Sequence, residues 1–339
     1  MSIVAITEPE YEKGRCQFSA VGDMSCVPAP VEEEGLCEVI RRHGARHVIL
    51  GVEKYTDSLY RALPRGGVIA RFGVGYDGID VLRAQQAGLI CTNTPGILDQ
   101  SVAELTVTLV LLAARQILPQ ALACAAGRWR AIPGRDVRSR VLTIVGCGAI
   151  GCRVAEIASA GLRMKVVGCD VRDLDVDRLR QEHGFATVTK DFQQAVADAD
   201  FVSLHIPYHS GTAHFMNAER LNLLRANAWL INTSRGGVVD EQSLFEALVL
   251  GRPAGAGLDV FETEPYDPVD PACDLRTLPN VIMLPHIGST TEEACARMAQ
   301  RCLQNIRHAE QEERTKMDII QYTHQNTKRE QQRIGRLGS

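Results

Sequence analysis

Three apolar runs in this sequence end in side chains that can bind an oxyanion or move a proton. Arg235 follows the first run and precedes a glycine pair, and its planar guanidinium suits a carboxylate or a carbonyl oxygen. Glu262 and Glu264 follow the second run, and His286 follows the third. A histidine titrates near neutral pH, and a carboxylate beside it favours the charged form. These residues could therefore carry acid–base chemistry on a ligand with a carboxylate or carbonyl group.

An apolar run followed by three glycines predicts a turn that binds a dinucleotide. Gly146 permits a tight turn, Gly148 lets the backbone approach a pyrophosphate, and Gly151 lets helix and strand pack closely. Asp170 ends the next apolar run, about twenty residues further on, where a carboxylate can accept a hydrogen bond from a ribose 2′-OH and repel a 2′-phosphate. The sequence therefore predicts NAD rather than NADP, and Arg172, two residues further on, is the feature that opposes this prediction.

A second pattern of the same spacing, Gly73, Gly75 and Gly78, also follows an apolar run. The acid at the matching distance is Asp99, but Pro95 and the glycine after it separate Asp99 from the preceding strand-like run. Asp99 is therefore predicted to be a helix N-cap rather than a ribose ligand. This second pattern predicts a tight turn more strongly than a second dinucleotide site.

The composition favours a cytoplasmic globular protein. At 339 residues, 45% of them hydrophobic, the chain is expected to form two domains. A net charge of −4 predicts no nucleic-acid and no membrane partner. The N-terminus lacks the basic region of a secretory signal, and eleven cysteines without a Cys-x-x-Cys pair are expected to be free thiols. His205, His209 and His214 have no further ligand at suitable spacing, so no metal site is predicted.

Strand-like and helix-like segments alternate along the chain, which predicts parallel sheets with helices on both faces. The predicted strands are residues 3–7, 24–27, 48–52, 68–72, 89–94, 141–145, 165–170, 186–189, 201–206, 228–234, 255–261 and 281–284. One long helix is predicted from Asp99, with Ser101 and Glu104 as a capping box, and another from residue 290 past Asn305. Residues 8–22 are predicted to be a surface loop. Residues 326–339 are predicted to be disordered or to form a subunit-contact arm.

In their order along the chain, these segments resemble the D-isomer-specific 2-hydroxyacid dehydrogenase family. The resemblance covers residues from about 68 to 305. The matching stretches are Arg71-Phe72-Gly73-Val74-Gly75-Tyr76-Asp77, Thr92-Asn93-Thr94-Pro95-Gly96, the Gly146 turn with Asp170, His205-Ile206-Pro207, Ser234-Arg235-Gly236-Gly237, Asp259-Val260-Phe261-x-x-Glu264-Pro265 and Pro285-His286-Ile287-Gly288.

The resemblance implies an α/β protein of two Rossmann-like lobes. Residues 99–289 would form the NAD-binding lobe, with a doubly wound parallel sheet. Residues 1–98, completed by residues 290–325, would form a smaller, flavodoxin-like substrate lobe. Because dimerisation through the cofactor lobe is common in the family, a homodimer is expected.

Position by position, the resemblance implies three catalytic residues. Arg235 would hold the carboxylate and 2-oxygen of the substrate, His286 would be the general acid/base, and Glu264 rather than Glu262 would orient the histidine. The substrate carboxylate would also lie against Gly73, Val74 and Gly75. The residues implied around the cofactor are Gly146, Gly148, Ala149, Ile150, Gly151, Asp170, Ile206, Pro207, Thr233, Ser234, Asp259 and Gly288.

The activity expected from this resemblance is NAD-dependent interconversion of a small 2-keto acid, of the glyoxylate, hydroxypyruvate or pyruvate kind, with its D-2-hydroxy acid. Oxidation of 3-phosphoglycerate is the alternative within the class. It is disfavoured because relatives that act on phosphoglycerate carry an arginine shortly after the third strand, where residues 50–54 offer only Lys54 as a cation. Gly78 stands where the family often has asparagine, which leaves the rigidity of that loop open. An NAD(H)-sensing binding protein, resembling transcriptional corepressors on the same scaffold, is the alternative of a different class.

Overall fold

The computed structural model describes residues 1–321, so the predicted tail at residues 326–339 and the last four residues of the predicted substrate lobe lie outside the described residues. The chain divides into two compact units. Unit 1 consists of Met1–Leu98 and the chain from Ser289 onward, and unit 2 is Asp99–Gly288. The strands of each unit form one parallel sheet.

Unit 1 has a five-stranded sheet in the order β2-β1-β3-β4-β5, the order of flavodoxin-like folds. Its elements in chain order are β1 (Ser2–Thr7), α1 (Glu8–Lys13), α2 (Arg15–Ser19), β2 (Met24–Ala29), α3 (Glu33–His43), β3 (His47–Leu50), α4 (Asp57–Ala62), β4 (Val68–Arg71), α5 (Val81–Gln86) and β5 (Ile90–Thr92), with α13 (Glu292–Glu310) added from the C-terminal part. β3 and β4 are buried along their whole length because helices cover both faces of the sheet.

Unit 2 has a seven-stranded sheet in the order β12-β11-β10-β9-β6-β7-β8. Its elements are α6 (Asp99–Arg115), α7 (Ile117–Ala125), β6 (Val141–Val145), α8 (Ala149–Glu156), β7 (Lys165–Cys169), α9 (Val176–His183), β8 (Phe185–Thr189), α10 (Phe192–Val196), β9 (Phe201–Leu204), α11 (Ala218–Leu223), β10 (Trp229–Asn232), α12 (Glu241–Val249), β11 (Gly255–Leu258) and β12 (Val281–Met283). Within this unit the order is 3-2-1-4-5-6, extended by one strand, which is the doubly wound dinucleotide-binding order. The strand order reverses between β6 and β9, and ligands bind at such a point in open α/β sheets.

Two local predictions are wrong. Residues 8–22 contain α1 and α2 rather than a loop. Their inward face consists of Phe18, which stacks on Tyr11 at 6.0 Å between ring centroids, and of Glu10, which is buried and accepts a hydrogen bond from Thr7 Oγ1 at 2.5 Å. A buried glutamate conceals the helical pattern because it is counted among the polar residues.

The predicted capping box at the start of α6 is also wrong. The helix begins at Asp99, so Ser101 is a buried residue inside the first turn. The side chain of Glu104 accepts a hydrogen bond from Gln100 Nε2 at 2.6 Å.

Within residues 1–321, no single helix has the length and apolar composition needed to cross a bilayer, although the pair α6 and α7, bent by 69°, passes that test when the two are taken together. The same described residues contain no group of three or more His, Cys, Asp or Glu side chains arranged to hold a metal ion.

Candidate active site

The predicted dinucleotide turn lies at the carboxyl end of β6, where the order of the strands reverses. Gly146 has a φ of +99°, and a Cβ there would lie 2.5 Å from the carbonyl oxygen of His205 and 2.9 Å from Ile206 Cγ2. A Cβ on Gly151 would overlap the carbonyl oxygen of Gly146. By contrast, a Cβ on Gly148 would meet no heavy atom within 4 Å. The backbone therefore packs tightly at the base of the turn and is open at Gly148.

This opening coincides with the N-terminus of α8, which begins at Ala149 and Ile150. Gly148 is the N-cap residue and supplies no side-chain acceptor to the first amides of the helix. Free amides and the helix dipole together favour an anion at this point. The residues present therefore fit the pyrophosphate of a dinucleotide.

Asp170 follows β7 and is 8% exposed. Its Oδ2 accepts from the Cys147 amide at 2.9 Å and from Arg172 Nη2 at 2.7 Å. Its Oδ1 accepts from the Arg172 amide at 3.0 Å and from Arg172 Nε at 2.9 Å. Burial alone would raise the pKa of this carboxyl, but the hydrogen bonds and charge of Arg172 hold it below its ordinary value. Arg172 thus donates to both oxygens of this carboxylate.

Arg235 lies in the loop after β10, and Asn232 organises that loop. The buried Asn232 side chain donates from Nδ2 to the carbonyl oxygen of Arg235 at 2.9 Å. Its Oδ1 accepts from the amide and hydroxyl of Ser234 at 3.0 and 2.8 Å. Thr233 is tied to α6 through the 2.9 Å contact between its hydroxyl and that of Thr106. Asn232 had no predicted role, although its place at the end of an apolar strand was a signal.

Glu264 and His286 are in direct contact, 2.6 Å between Oε2 and Nδ1. The other oxygen, Oε1, accepts from the Phe261 amide at 3.0 Å. Burial would raise the pKa of Glu264, yet the hydrogen bond from His286, its charge, the Phe261 amide and the charge of Arg235 together lower it. The carboxylate is therefore ionised near neutral pH and can only accept, so the Nδ1 of His286 carries the proton that it donates.

The backbone around His286 is fixed by Asp259. Asp259 Oδ1 accepts from the Ile287 amide at 2.8 Å and Oδ2 accepts from the Gly288 amide at 2.7 Å. His286 itself has a φ of +54°, in the left-handed region that non-glycine residues rarely adopt. Such strain persists only where the surroundings fix the backbone, and it concentrates at functional sites. Asp259, predicted to line the cofactor, thus also holds the histidine turn.

The predicted substrate loop, Gly73, Val74 and Gly75, belongs to unit 1. Its three carbonyl oxygens accept hydrogen bonds from the Thr94 amide at 3.0 Å, from Asn93 Nδ2 at 2.8 Å and from Arg71 Nε at 2.7 Å. The amides of Val74 and Gly75 have no acceptor among the described residues. The loop is therefore held by its carbonyl groups and has two amides available for an anion.

Glu262, the rival to Glu264, has a different histidine partner. Its Oε2 lies 2.9 Å from His214 Nε2, and its Oε1 accepts from the Glu241 amide at 3.1 Å. Glu241 and His214 were not predicted as parts of this site. The contacts join residues far apart in sequence, so spacing gave no signal for them.

The remaining predicted cofactor residues, Ile206, Pro207 and Thr233, lie at the carboxyl ends of β9 and β10, which neighbour β6 in the sheet. A cavity of about 440 Å³ opens beside Gly148 and Ala149. Arg235, Glu264 and His286 do not line it. They form a separate cluster in unit 2.

The strand order, the glycine turn and the acid after β7 define unit 2 as a dinucleotide-binding Rossmann unit. Residues 107–288 match the family model described as "D-isomer specific 2-hydroxyacid dehydrogenase, NAD binding domain". The chain belongs to the D-isomer-specific 2-hydroxyacid dehydrogenase family, whose members supply the relatives described next.

A glyoxylate reductase of Korarchaeum cryptofilum is 37% identical over 257 residues, 73% of this chain and 74% of the relative. A hydroxypyruvate reductase of Thermotoga maritima is 36% identical over 262 residues, 76% of this chain and 82% of the relative. The NADPH-dependent glyoxylate/hydroxypyruvate reductase of Sinorhizobium meliloti, solved with NADP and malonate, has a TM-score of 0.75 and 28% identity, covering 91% of this chain and 93% of that one.

These findings confirm the predicted family and the α/β fold of Rossmann-like lobes. They also support an oxidoreductase of 2-keto and 2-hydroxy acids that uses a nicotinamide dinucleotide.

Proposed function

We propose that this chain is an NAD-dependent dehydrogenase that interconverts a small 2-keto acid, of the glyoxylate or hydroxypyruvate kind, with its D-2-hydroxy acid. The observation that carries the proposal is the 2.6 Å contact between His286 Nδ1 and Glu264 Oε2, close enough to Arg235 for its charge to lower the pKa of the glutamate. With Nδ1 committed to Glu264, the Nε2 of His286 remains to exchange a proton with substrate.

In the reductive direction, Arg235 pairs with the carboxylate and the 2-oxygen of the keto acid. A bound nicotinamide dinucleotide would supply the hydride in reduction and accept it in oxidation. As C2 takes the hydride, the carbonyl electron pair moves to the 2-oxygen, and His286 Nε2 donates a proton to that oxygen. Glu264 stays ionised and stabilises the imidazolium before the transfer. Oxidation of the hydroxy acid returns the proton to Nε2.

NAD rather than NADP is favoured by Asp170, whose carboxylate would accept from a ribose 2′-OH and repel a 2′-phosphate. Arg172 partly offsets this charge, because its side chain donates two of the four hydrogen bonds to that carboxylate and its amide donates a third. The arginine side chain is 57% exposed and the aspartate side chain 6%, so the guanidinium can turn into solvent while the carboxylate keeps its hydrogen bonds from the Cys147 and Arg172 amides.

An unphosphorylated substrate is favoured by the loop after β3. Glu53 has one buried carboxylate oxygen, Oε2, without a hydrogen-bond donor. That oxygen and Glu10 Oε1 lie 2.5 and 2.7 Å from the point where a Cβ of Gly51 would stand, so the two carboxylates are neighbours. Burial, and then the charge of Glu10, raise the pKa of Glu53. A dianionic phosphate would be repelled here, which disfavours 3-phosphoglycerate.

A homodimer through unit 2 is supported by apolar surface on α7 and the loop after it. The side chains of Ile117, Leu118 and Leu122 are 45%, 38% and 61% exposed, and Trp129 is 94% exposed. Exposed apolar clusters of this kind mark interaction surfaces.

To test the proposal, the purified chain is mixed with NADH or NADPH and a panel of glyoxylate, hydroxypyruvate and pyruvate. Oxidation of 3-phosphoglycerate is assayed with NAD. We expect NADH-dependent reduction of at least one keto acid, and a loss of at least about a hundredfold in kcat/KM for Arg235→Gln and His286→Ala. The exposed residues Arg180 and His43 provide matched controls, Arg180→Gln and His43→Ala.

Two results contradict the proposal. One is absence of turnover with every keto acid, combined with NADH-dependent capture of a protein partner, which would identify a sensor on the same scaffold. The other is full activity in both site variants while the controls behave like wild type.

A further inference from the structure

Unit 2 contains a second histidine–glutamate contact beside the first. His214 Nε2 lies 2.9 Å from Glu262 Oε2, and Glu262 is two residues from Glu264. His214 has a φ of +49°, so both histidines of the two pairs have left-handed backbones. Because such backbones need support from their surroundings, the second contact is a candidate for a structural role in the site.

Glu262 is joined to the start of α12 by two reciprocal hydrogen bonds. The Glu262 amide donates to Glu241 Oε1 at 2.6 Å, and the Glu241 amide donates to Glu262 Oε1 at 3.1 Å. Glu241 is the first residue of α12 and is 5% exposed. The backbone at residue 262 is thereby fixed to a buried helix end.

The preceding residue carries this restraint to the reaction site. The Phe261 amide donates to Glu264 Oε1 at 3.0 Å, so the orientation of the 261–262 backbone sets where that carboxylate lies. On the other side, a Cβ on Gly236 would overlap the carbonyl group of Phe261, so the Arg235 loop packs directly on the 261–262 peptide, whose N–H is the Glu262 amide. A shift of the 261–262 peptide would therefore displace Glu264 and press on the loop that carries Arg235.

We propose that Glu241 is a positioning residue for the Glu264–His286 pair, acting through the Glu262 amide, with His214 holding the other oxygen of the Glu262 carboxylate. The inference rests on the proposed function, since it concerns the proton donor of that reaction. It assigns roles to Glu241, Glu262 and His214, which lie outside the proposed catalytic set of Arg235, Glu264 and His286.

The charge of Glu241 makes this restraint sensitive to pH. Its Oε2 is buried without a hydrogen-bond partner. Burial, with the charges of Glu262 and Glu264, raises its pKa to about 7, against the lowering effects of the Glu262 amide and His214. Tyr266 also faces this carboxyl. Above about pH 7, an ionised Glu241 adds a negative charge beside Glu262 and Glu264, which opposes the packed arrangement.

The test compares Glu241→Ala and Glu241→Gln with Glu246→Ala and Glu246→Gln, changes at an exposed glutamate of the same helix. Glu241→Ala removes the acceptor of the Glu262 amide, and we expect kcat for keto-acid reduction to fall about tenfold or more, with the KM for NADH changed by less than about twofold. Glu241→Gln keeps an acceptor and should rescue most of kcat below pH 7. Its kcat relative to wild type should rise as the pH passes through about 7.

Amide hydrogen exchange gives a readout that does not depend on turnover. We expect faster exchange at Phe261 and Glu262 in Glu241→Ala than in Glu246→Ala. The inference is overturned if the exchange rates of Phe261 and Glu262 are equal in Glu241→Ala and Glu246→Ala. It is also overturned if Glu241→Gln has the kcat–pH profile of wild type, a measurement that applies even if Glu241→Ala fails to fold. Absence of keto-acid turnover by wild type would instead count against the proposed function, while the exchange data would still decide the role of Glu241.

Discussion

Replacing Glu264 by glutamine tests the central contact of the proposed site. The carboxylate accepts two hydrogen bonds, from Phe261 at Oε1 and from His286 at Oε2. A glutamine of the same shape has one accepting oxygen, and its NH₂ group would face one of the two N–H donors. Either the histidine or the backbone amide therefore loses its acceptor, and the negative charge that stabilises the imidazolium is lost in both cases.

The size of the effect follows from the kind of bond removed. Hydrogen bonds to charged groups contribute about 1.5–3 kcal/mol, and about 1.4 kcal/mol corresponds to a tenfold change in rate. We therefore expect kcat of keto-acid reduction to fall about 10- to 100-fold. The KM for NADH should change by less than about twofold, because the glycine turn and Asp170 are untouched.

The same substitution should remove one transition from the acid side of the kcat–pH profile, the one caused by protonation of Glu264. The pKa of Glu264 is lowered from its ordinary value of 4.5, so the contact with His286 is intact above 4.5 and is lost as the pH falls through the lowered pKa. In wild type this loss should coincide with falling kcat, whereas Glu264→Gln should lack that transition.

The assay follows NADH absorbance with glyoxylate at several pH values, with the exposed residue Glu219 changed to glutamine as the matched control. The reasoning would be refuted if Glu264→Gln kept kcat within about threefold of wild type and showed the same acid limb. An equal loss in Glu219→Gln would mean that the effect is not specific to this contact.

Four further predictions each concern a single substitution. Arg172→Ala should tighten NADH binding by up to about fivefold, because the exposed guanidinium no longer competes for the buried Asp170 carboxylate and a surface ion pair is worth up to about 1 kcal/mol. It should weaken NADPH binding, with both cofactors measured as dissociation constants, and tighter NADPH binding would contradict the prediction. Gly236→Ala should destabilise unit 2 by about 1–3 kcal/mol or more and lower Tm, because the new Cβ would overlap the carbonyl group of Phe261. Gly161→Ala serves as control, since no heavy atom lies within 4 Å of its added Cβ. The Tm of Glu241→Gln should rise relative to that of wild type as the pH goes from 4.5 through about 7, because ionisation of a buried carboxyl with a raised pKa destabilises the wild-type fold in that range. An equal Tm difference at pH 4.5 and above pH 7 would argue against burial of the charge. If the proposed homodimer forms through α7, wild type should be dimeric in light scattering, Leu122→Glu monomeric, and Leu250→Glu, at another exposed leucine, dimeric. A dimer in Leu122→Glu would contradict that interface.

The sheets could be predicted from sequence because their strands are almost wholly apolar. Residues 141–145 form β6 with the predicted bounds, and the other strands differ from prediction mainly at their ends. The predicted bounds of several strands were too long because polar residues at their ends leave the sheet, as after Asn232, where the ladder stops and Ser234 lies in a bend. Strands of a parallel sheet covered on both faces are apolar along their whole length, so short apolar runs of this kind are typical of them.

The contacts that complete the site could not be predicted in the same way. The Glu241–Glu262 exchange joins residues 21 apart on different elements, and His214 reaches Glu262 across 48 residues. No periodicity relates such positions. A glutamate is expected at the surface when only the sequence is known, so a buried carboxylate is not recognised. Glu10 in α1 was misjudged for the same reason.

The two glycine patterns show what such spacing encodes. In the first, Gly146 and Gly151 avoid backbone carbonyl groups, while Gly148 faces open space at a helix N-terminus. In the second, Gly73 has a φ of +143° and a Cβ on it would stand 2.9 Å from the Arg71 guanidinium, and no helix N-terminus follows it directly. The shared spacing thus reports close approach of backbone in both loops. What separates the two loops is the source of their free amides, which is a helix end in the proposed pyrophosphate site after β6 and a loop held by its own carbonyl groups in the proposed carboxylate site after β4.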